Sequence, residues 1–230
     1  ITLGFPVNEN NSYYIGVGYT YNKISNFAYE YNRTLYMKSM DLLGNSVKTN
    51  DFDFSFGWNY NSLNRGYFPT KGVKASLGGR VTIPGSDNKY YKLSAELQGF
   101  YPLDRDHRWV LSGKATSAYA NGLSGKRVPF YQLYTAGGIG SLRGFAYGAV
   151  GPNAIYWQKD RNGKEGWIPN TDVIGGNAMA TASVELIVPT PFVSDKSQNN
   201  VRTSLFVDAA SVWNTKWKSD KEGLPSSVLV

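Results

Sequence analysis

The side chains best suited to chemistry in this chain are one guanidinium and a few carboxylates. Gly137-Gly138-Ile139-Gly140-Ser141-Leu142-Arg143-Gly144-Phe145 sets an arginine behind a glycine-rich run. Glycines allow positive φ and close backbone approach, so such a run forms a tight loop tip that delivers one cation, Arg143, to a confined place. Two acids lie in later segments of alternating character. Glu185 falls on the polar face of Ala178 to Val188, and Asp208 falls on the same face as Phe206 within Arg202 to Trp213. From the residues alone, these acids either meet water and any passing lysine, or they meet Arg143.

Covalent catalysis needs an activated nucleophile beside a base. The only histidine, His107, sits among Asp104, Arg105, Asp106 and Arg108, where a solvated turn far from any serine is expected. With no cysteine there is no thiolate nucleophile, thiolate metal site or disulfide. No spacing marks a metal site, and Asp87-Asn88 reads as a turn rather than a ligand pair. The Gly137 to Gly144 run lacks the Lys-Ser/Thr of a phosphate loop. The expectation is a protein that is not an enzyme and uses no metal or cofactor.

These residues must be positioned by long strands. Tyr13, Ile15, Val17, Tyr19 and Tyr21 alternate with Tyr14, Gly16, Gly18, Thr20 and Asn22. From Phe52 to Tyr60 the row Phe52, Phe54, Phe56, Trp58 and Tyr60 opposes Asp53, Ser55, Gly57 and Asn59, a face too apolar for water. Further alternating runs cover Val73 to Thr82, Tyr91 to Gln98, Trp109 to Tyr119, Ala178 to Val188 and Arg202 to Trp213. Runs of about ten residues match a bilayer crossed at a tilt, whereas strands of soluble proteins average about five or six. Mean hydropathy is -0.37, and no run approaches the length of about 18 apolar residues that a membrane helix needs. Tyr60, Tyr90, Tyr101, Trp109, Tyr119 and Trp213, at strand ends, suit an interfacial girdle.

Connections alternate in size, as in outer membrane barrels. Short links at Phe5 to Asn11, Asn64 to Lys71, Pro102 to His107 and Pro189 to Asn200 are expected on the periplasmic side. Those at Lys23 to Asn50, Pro84 to Lys89 and Asn121 to Asn177 are expected outside. Phe27, Tyr31, Leu35 and Met40 recur at helical spacing and predict a short helix in the first of these outer loops. Counting yields the tail of one strand plus seven complete ones. Open edges cost several kcal/mol per unpaired backbone group in lipid, so further strands are expected before Ile1 and after Val230, or from another chain. The net charge of +7 comes from Lys and Arg scattered through turns and polar faces. Nucleic acid is therefore not an expected partner, and anionic lipid headgroups fit some of these cations better.

The loop tip with its Arg-Gly-Phe core resembles the Omp85 superfamily, whose inward-folded loop carries a (V/I)RG(F/Y) tip. Here Leu142 takes the first position, followed by Arg143, Gly144 and Phe145. Asn64-Arg65-Gly66-Tyr67-Phe68-Pro69-Thr70-Lys71-Gly72 is similar to the family's periplasmic turn. Val81 to Asn88, Gly175 to Ala180 and Pro189 to Lys196 are similar to the branch that assembles barrels. Ile155 to Val173 matches least well.

The resemblance implies an all-β, antiparallel transmembrane β-barrel segment in the bacterial outer membrane. It would comprise about seven complete strands of a barrel of about sixteen, with residues 1–230 as one partial barrel domain. It implies a long loop, about 121–177, folded into the lumen, where Arg143 meets Glu185, Phe206 and Asp208 as a lock. Implied partners are unfolded outer membrane protein precursors, accessory assembly lipoproteins and outer membrane lipids. The implied function is non-covalent folding and insertion of barrels. A two-partner secretion pore of the same superfamily and a simple diffusion porin are the alternatives.

Overall fold

Alternation decides which way each side chain points, and register then assembles the faces of neighbouring strands. A computed structural model describes residues 1–25, 47–159, 162–193 and 201–215. One antiparallel sheet contains β1 (Thr2–Pro6), β2 (Asn11–Ile24), β3 (Val47–Asn61), β4 (Gly72–Thr82), β5 (Tyr90–Pro102) and β6 (Val110–Gly122). After β6 the chain makes a separate two-stranded ribbon, β7 (Asn153–Lys159) and β8 (Glu165–Val173). It then rejoins the sheet as β9 (Ala178–Val188) and β10 (Thr203–Trp213). The order β1-β2-β3-β4-β5-β6-β9-β10 pairs every strand with its sequence neighbour except at β6 and β9, where residues 123–177 intervene.

The two faces differ sharply in chemistry. On one, Tyr13, Ile15, Val17 and Tyr19 stand opposite Trp58, Phe56, Phe54 and Phe52 of β3. The same face continues through Leu77, Leu93, Leu97 and Leu111 to Val184, Leu205 and Val207. Many of these are exposed, with Tyr19 at 58% and Val207 at 75%. An apolar face of this extent left open to solvent is what a lipid-facing wall requires. The other face carries Asp53, Arg80, Lys92, Glu96, Lys114, Glu185 and Asp208. Tyr90 belongs to this polar face at 2% exposure, so it is not a girdle residue as the strand-end rule suggested. Its parity with Lys92 turns it inward.

Strand β3 begins at Val47, earlier than alternation revealed, because Lys48, Thr49, Asn50 and Asp51 are polar on both faces. Its early residues are held by the short link between β4 and β5. Ser86 Oγ donates to Phe52 O (2.7 Å) and accepts from Phe52 N (2.8 Å), while Asp87 N donates to Asn50 O (3.0 Å). Asn88, fully buried, donates to both carboxylate oxygens of Asp51 (2.8 and 2.6 Å). The Asp87-Asn88 pair thus extends the ladder sideways onto β3 rather than merely turning the chain. The helix predicted around Phe27, Tyr31, Leu35 and Met40 lies outside the described residues. The β7/β8 ribbon has no counterpart in the sequence reading.

Two glycines are explained by rings laid across the sheet. A Cβ on Gly57 would stand 2.4 Å from the ring of Tyr14, its partner in register, and one on Gly79 would stand 2.3 Å from Phe56. By contrast, a Cβ on Gly113 meets nothing within 4 Å. Gly57→Val is expected to destabilise the barrel by about 1–3 kcal/mol through overpacking, with Gly113→Ala close to neutral. Urea unfolding followed by tryptophan fluorescence measures both, and equal midpoints for the two variants would contradict the ring-over-glycine account.

Candidate functional site

Residues 123–177 leave the sheet at the end of β6 and return at the start of β9, two strands that pair directly from Tyr119↔Ala178 to Val110↔Ile187. The excursion therefore costs the sheet no ladder bonds. Within it, isolated bridges tie Tyr134 to Gly176, Ala136 to Val150 and Gly138 to Leu142. Gly137 N donates to Ser141 Oγ (2.8 Å), whose hydroxyl donates back to Gly137 O (3.1 Å), and Leu142 N reaches Gly138 O at 3.0 Å. Gly137 has φ of 129°, and a Cβ there would lie 2.1 Å from Ala146 O, so only glycine fits. Leu142 is buried and Phe145 is exposed on either side of the tip.

The tip carries Arg143 to the polar face of β9 and β10. Its Nε and one terminal nitrogen donate to the two oxygens of Asp208 at 2.8 and 2.7 Å, a bidentate fork. The other terminal nitrogen donates to Glu185 Oε2 at 3.0 Å. Its backbone N–H donates to Asp208 Oδ2 at 3.0 Å, and the guanidinium carbon lies 3.5 Å from the centroid of the Phe206 ring. Register explains the convergence, since Phe206 pairs with Glu185 and Asp208 pairs with Ser183, giving two adjacent cross-strand pairs on one face. Ser183, which the motif reading did not single out, accepts from Arg143 (2.9 Å) and donates to Asp208 Oδ1 (2.7 Å). Its position on the same polar face was the signal available.

Burial grades these partners. Asp208 is 5% exposed, while Arg143 and Glu185 are 24% and 25% exposed. Hydrogen bonds to Asp208 and Glu185 raise the pKa of Arg143 against the opposing effect of burial, so the tip keeps its charge at all working pH values. The arrangement ties the loop tip to β9 and β10.

The turn containing Arg65, Gly66, Tyr67, Phe68 and Pro69 sits at the opposite end of the sheet, between β3 and β4. Asn64 closes it, accepting from Thr70 N (3.1 Å) and Lys71 N (3.2 Å). Phe68, with φ of 45°, presents its ring to Arg202 at 4.7 Å, and Arg202 also donates to Pro69 O at 2.7 Å. Tyr67 stacks on Phe68 at 4.1 Å, whereas nothing in the structure requires glycine at position 66. The motif thus contacts Arg202, at the base of β10. His107 is half-buried and its Nδ1 lies 2.7 Å from Thr70 Oγ1. The solvated-turn expectation for it is therefore corrected: it joins two turns, because its left-handed backbone (φ 55°) aims the ring at the neighbouring one.

The motif Gly175-Gly176-Asn177 has a similar explanation. A Cβ on Gly176 would lie 2.4 Å from Trp213 O. The Asn177 side chain donates to Ala120 O (2.9 Å) and Thr215 Oγ1 (2.8 Å). These contacts cross from β6 to the end of β10 at the root of the loop.

Comparison with known proteins places the chain. The Omp85 superfamily domain matches residues 1–227. Outer membrane protein assembly factor BamA of Neisseria meningitidis serogroup B (strain ATCC BAA-335 / MC58) is 32% identical over 205 residues, covering 87% of this chain and 23% of that protein. The crystal structure of BamA from Haemophilus ducreyi lacking POTRA domains 1-3 has a TM-score of 0.88 at 56% identity, covering 97% of this chain and 43% of that one. The chain spans less than half of each of these relatives.

Removing Arg143 would strand a nearly buried carboxylate, a change that costs roughly 3 kcal/mol at sites of this kind. Asp208→Asn is expected to loosen the loop more than Glu185→Gln does, since Asp208 takes the bidentate fork and the backbone N–H. Arg143→Lys is expected to rescue poorly because an ammonium lacks the fork. Proteinase K cleavage within residues 123–177 of the folded barrel reports the ranking, and equal cleavage of the Asp208 and Glu185 variants would refute it.

Proposed function

The chain belongs to the Omp85 superfamily, and on that premise we propose that it forms part of the barrel subunit that folds and inserts other β-barrel proteins into the bacterial outer membrane. The observation that carries this reading is the likeness to a BamA barrel over 97% of the chain. A loop tip seated on Glu185 and Asp208 adds to it. The work is non-covalent. Unfolded precursors bring strands whose backbone groups lack partners, and an exposed sheet edge can template them by β-augmentation. A wall whose apolar height falls short of the bilayer thins the adjacent lipid and lowers the barrier to entry. Neither step consumes a nucleotide or needs a nucleophile.

In this reading the loop sets the shape of the lumen against β9 and β10, so that the barrel offers its edges without collapsing. Unfolded outer membrane protein precursors are the substrates, and accessory lipoproteins and outer membrane lipids are the partners. The short turns, including Asn64 to Lys71, face the periplasm, from which the precursors arrive. Depleting the full-length protein is expected to lower many outer membrane barrels together. Quantitative proteomics of the outer membrane measures this. Loss of one exported substrate alone would point to a secretion pore, and altered solute uptake with normal barrel levels would point to a porin.

A further inference from the structure

Lys92 stands on the polar face of β5, where its cross-strand neighbours are Arg80 of β4 and Ala120 of β6. Arg80 is a like charge and is itself engaged by Asp53 at 2.7 Å. Like charges directly opposite on a sheet repel, and among the described residues the wall gives the Lys92 ammonium no partner, so that it turns toward the loop. There Nζ donates to the backbone oxygen and to the side-chain Oε1 of Gln132, both at 3.1 Å, and lies 4.6 Å from the centre of the Tyr134 ring. Among the described residues no acid contributes to these contacts. The cation is satisfied by two oxygens and a π face that all belong to the loop.

The place where Lys92 holds the loop matters. Gln132 ends the 3-10 turn Phe130–Gln132, and Tyr134 pairs with Gly176 through two backbone bonds of 2.8 and 2.9 Å. Holding Gln132 and Tyr134 therefore fixes the outgoing limb of the loop and, through Gly176, the returning one. Tyr131, next in the turn, accepts from Asn88 Nδ2 at 3.0 Å, and Asn88 is anchored on Asp51. Arg143 lies beyond Ala136 and Gly138, at the far end of the same limb. A loop held at its base re-forms a contact at its tip as an intramolecular event, at high effective concentration.

We propose that Lys92 is a positioning residue: a second anchor, distinct from the Arg143 cluster, that holds the base of the inward loop to the barrel wall and so keeps Arg143 within reach of Glu185 and Asp208. This rests on the reading of the loop as part of the assembly apparatus, but its primary test does not use assembly.

In the full-length protein in its native outer membrane, Lys92→Met keeps the alkyl stem and removes the donors. Cleavage of residues 123–177 by proteinase K is expected to rise about five- to tenfold, because the lost contacts are charge-assisted and partly solvated. Lys92→Arg, which can donate to both oxygens and stack on Tyr134, is expected to stay within about twofold of the unsubstituted protein. Heat-modifiable migration on gels checks that the barrel itself is folded. Gln132→Leu and Tyr134→Leu leave the wall untouched and test the same contact should Lys92→Met fail to fold. Each should raise cleavage, and combining Gln132→Leu with Lys92→Met should add little. Cleavage unchanged in these variants, or effects that multiply in the double variant, would overturn the proposal. Increased cleavage with normal barrel assembly would uphold the anchor and count instead against the assembly reading.

Discussion

Every backbone N–H and C=O of a strand that crosses lipid must find its partner in the sheet, since the bilayer core offers no water to replace one. That requirement dictates long, unbroken ladders, and the registers of the eight-stranded sheet supply one at every seam between β1 and β10, whose outer edges have no partner among the described residues. Once the ladder is complete the side chains have only two directions. Apolar groups take the lipid side, and all polar chemistry is confined to the other face. The ion pairs Asp53–Arg80, Glu96–Lys114 and Arg143 with Glu185 and Asp208 lie there because no other place is open to them.

Those pairs are not equal. Glu96 and Lys114, at 3.3 Å and about one-third exposed, form a solvated pair of small worth. The Arg143 cluster is different in kind. Asp208 is nearly buried, its oxygens are filled by a fork, a backbone N–H and the Ser183 hydroxyl, and Phe206 lies against the guanidinium. Desolvation offsets much of the attraction in such a cluster, so its value lies in specificity more than in net stability. A long loop has many ways to lie against a polar sheet face. A planar cation that needs two carboxylates and a ring face satisfies itself in one of them.

The fold was legible to different depths along the chain. Where one face is aromatic and the other polar, as from Ser12 to Asn22 or Phe52 to Tyr60, alternation revealed both strand and face. It was silent over Lys48 to Asp51, where both faces are polar and where Asn50 and Asp51 bond to Asp87 and Asn88 of the link between β4 and β5. Place at a strand end suggests the girdle for Tyr90, but parity with Lys92 overrides place. His107 read as solvent-exposed because its neighbours are charged. The deciding contact, with Thr70, comes from another turn. Ser183 and Lys92 carry no motif of their own, since their roles arise from what register and the loop bring opposite them.

Sequence by itself determined the two-faced strands, the alternation of short and long connections, the glycine-rich tip with its single arginine, and the kinship with Omp85 proteins. All of these are local patterns, set by a side-chain period of two and by backbone freedom at glycine. The kinship implied that Arg143 meets Asp208, 65 residues on, but only the tertiary structure decided the geometry of that contact, that Ser183 completes the cluster, and that the loop's base rests on Lys92. Such contacts depend on which residues of β9 and β10 stand side by side and on the path of the loop between β6 and β9. Both are fixed by pairing between distant segments, and no local period records that pairing.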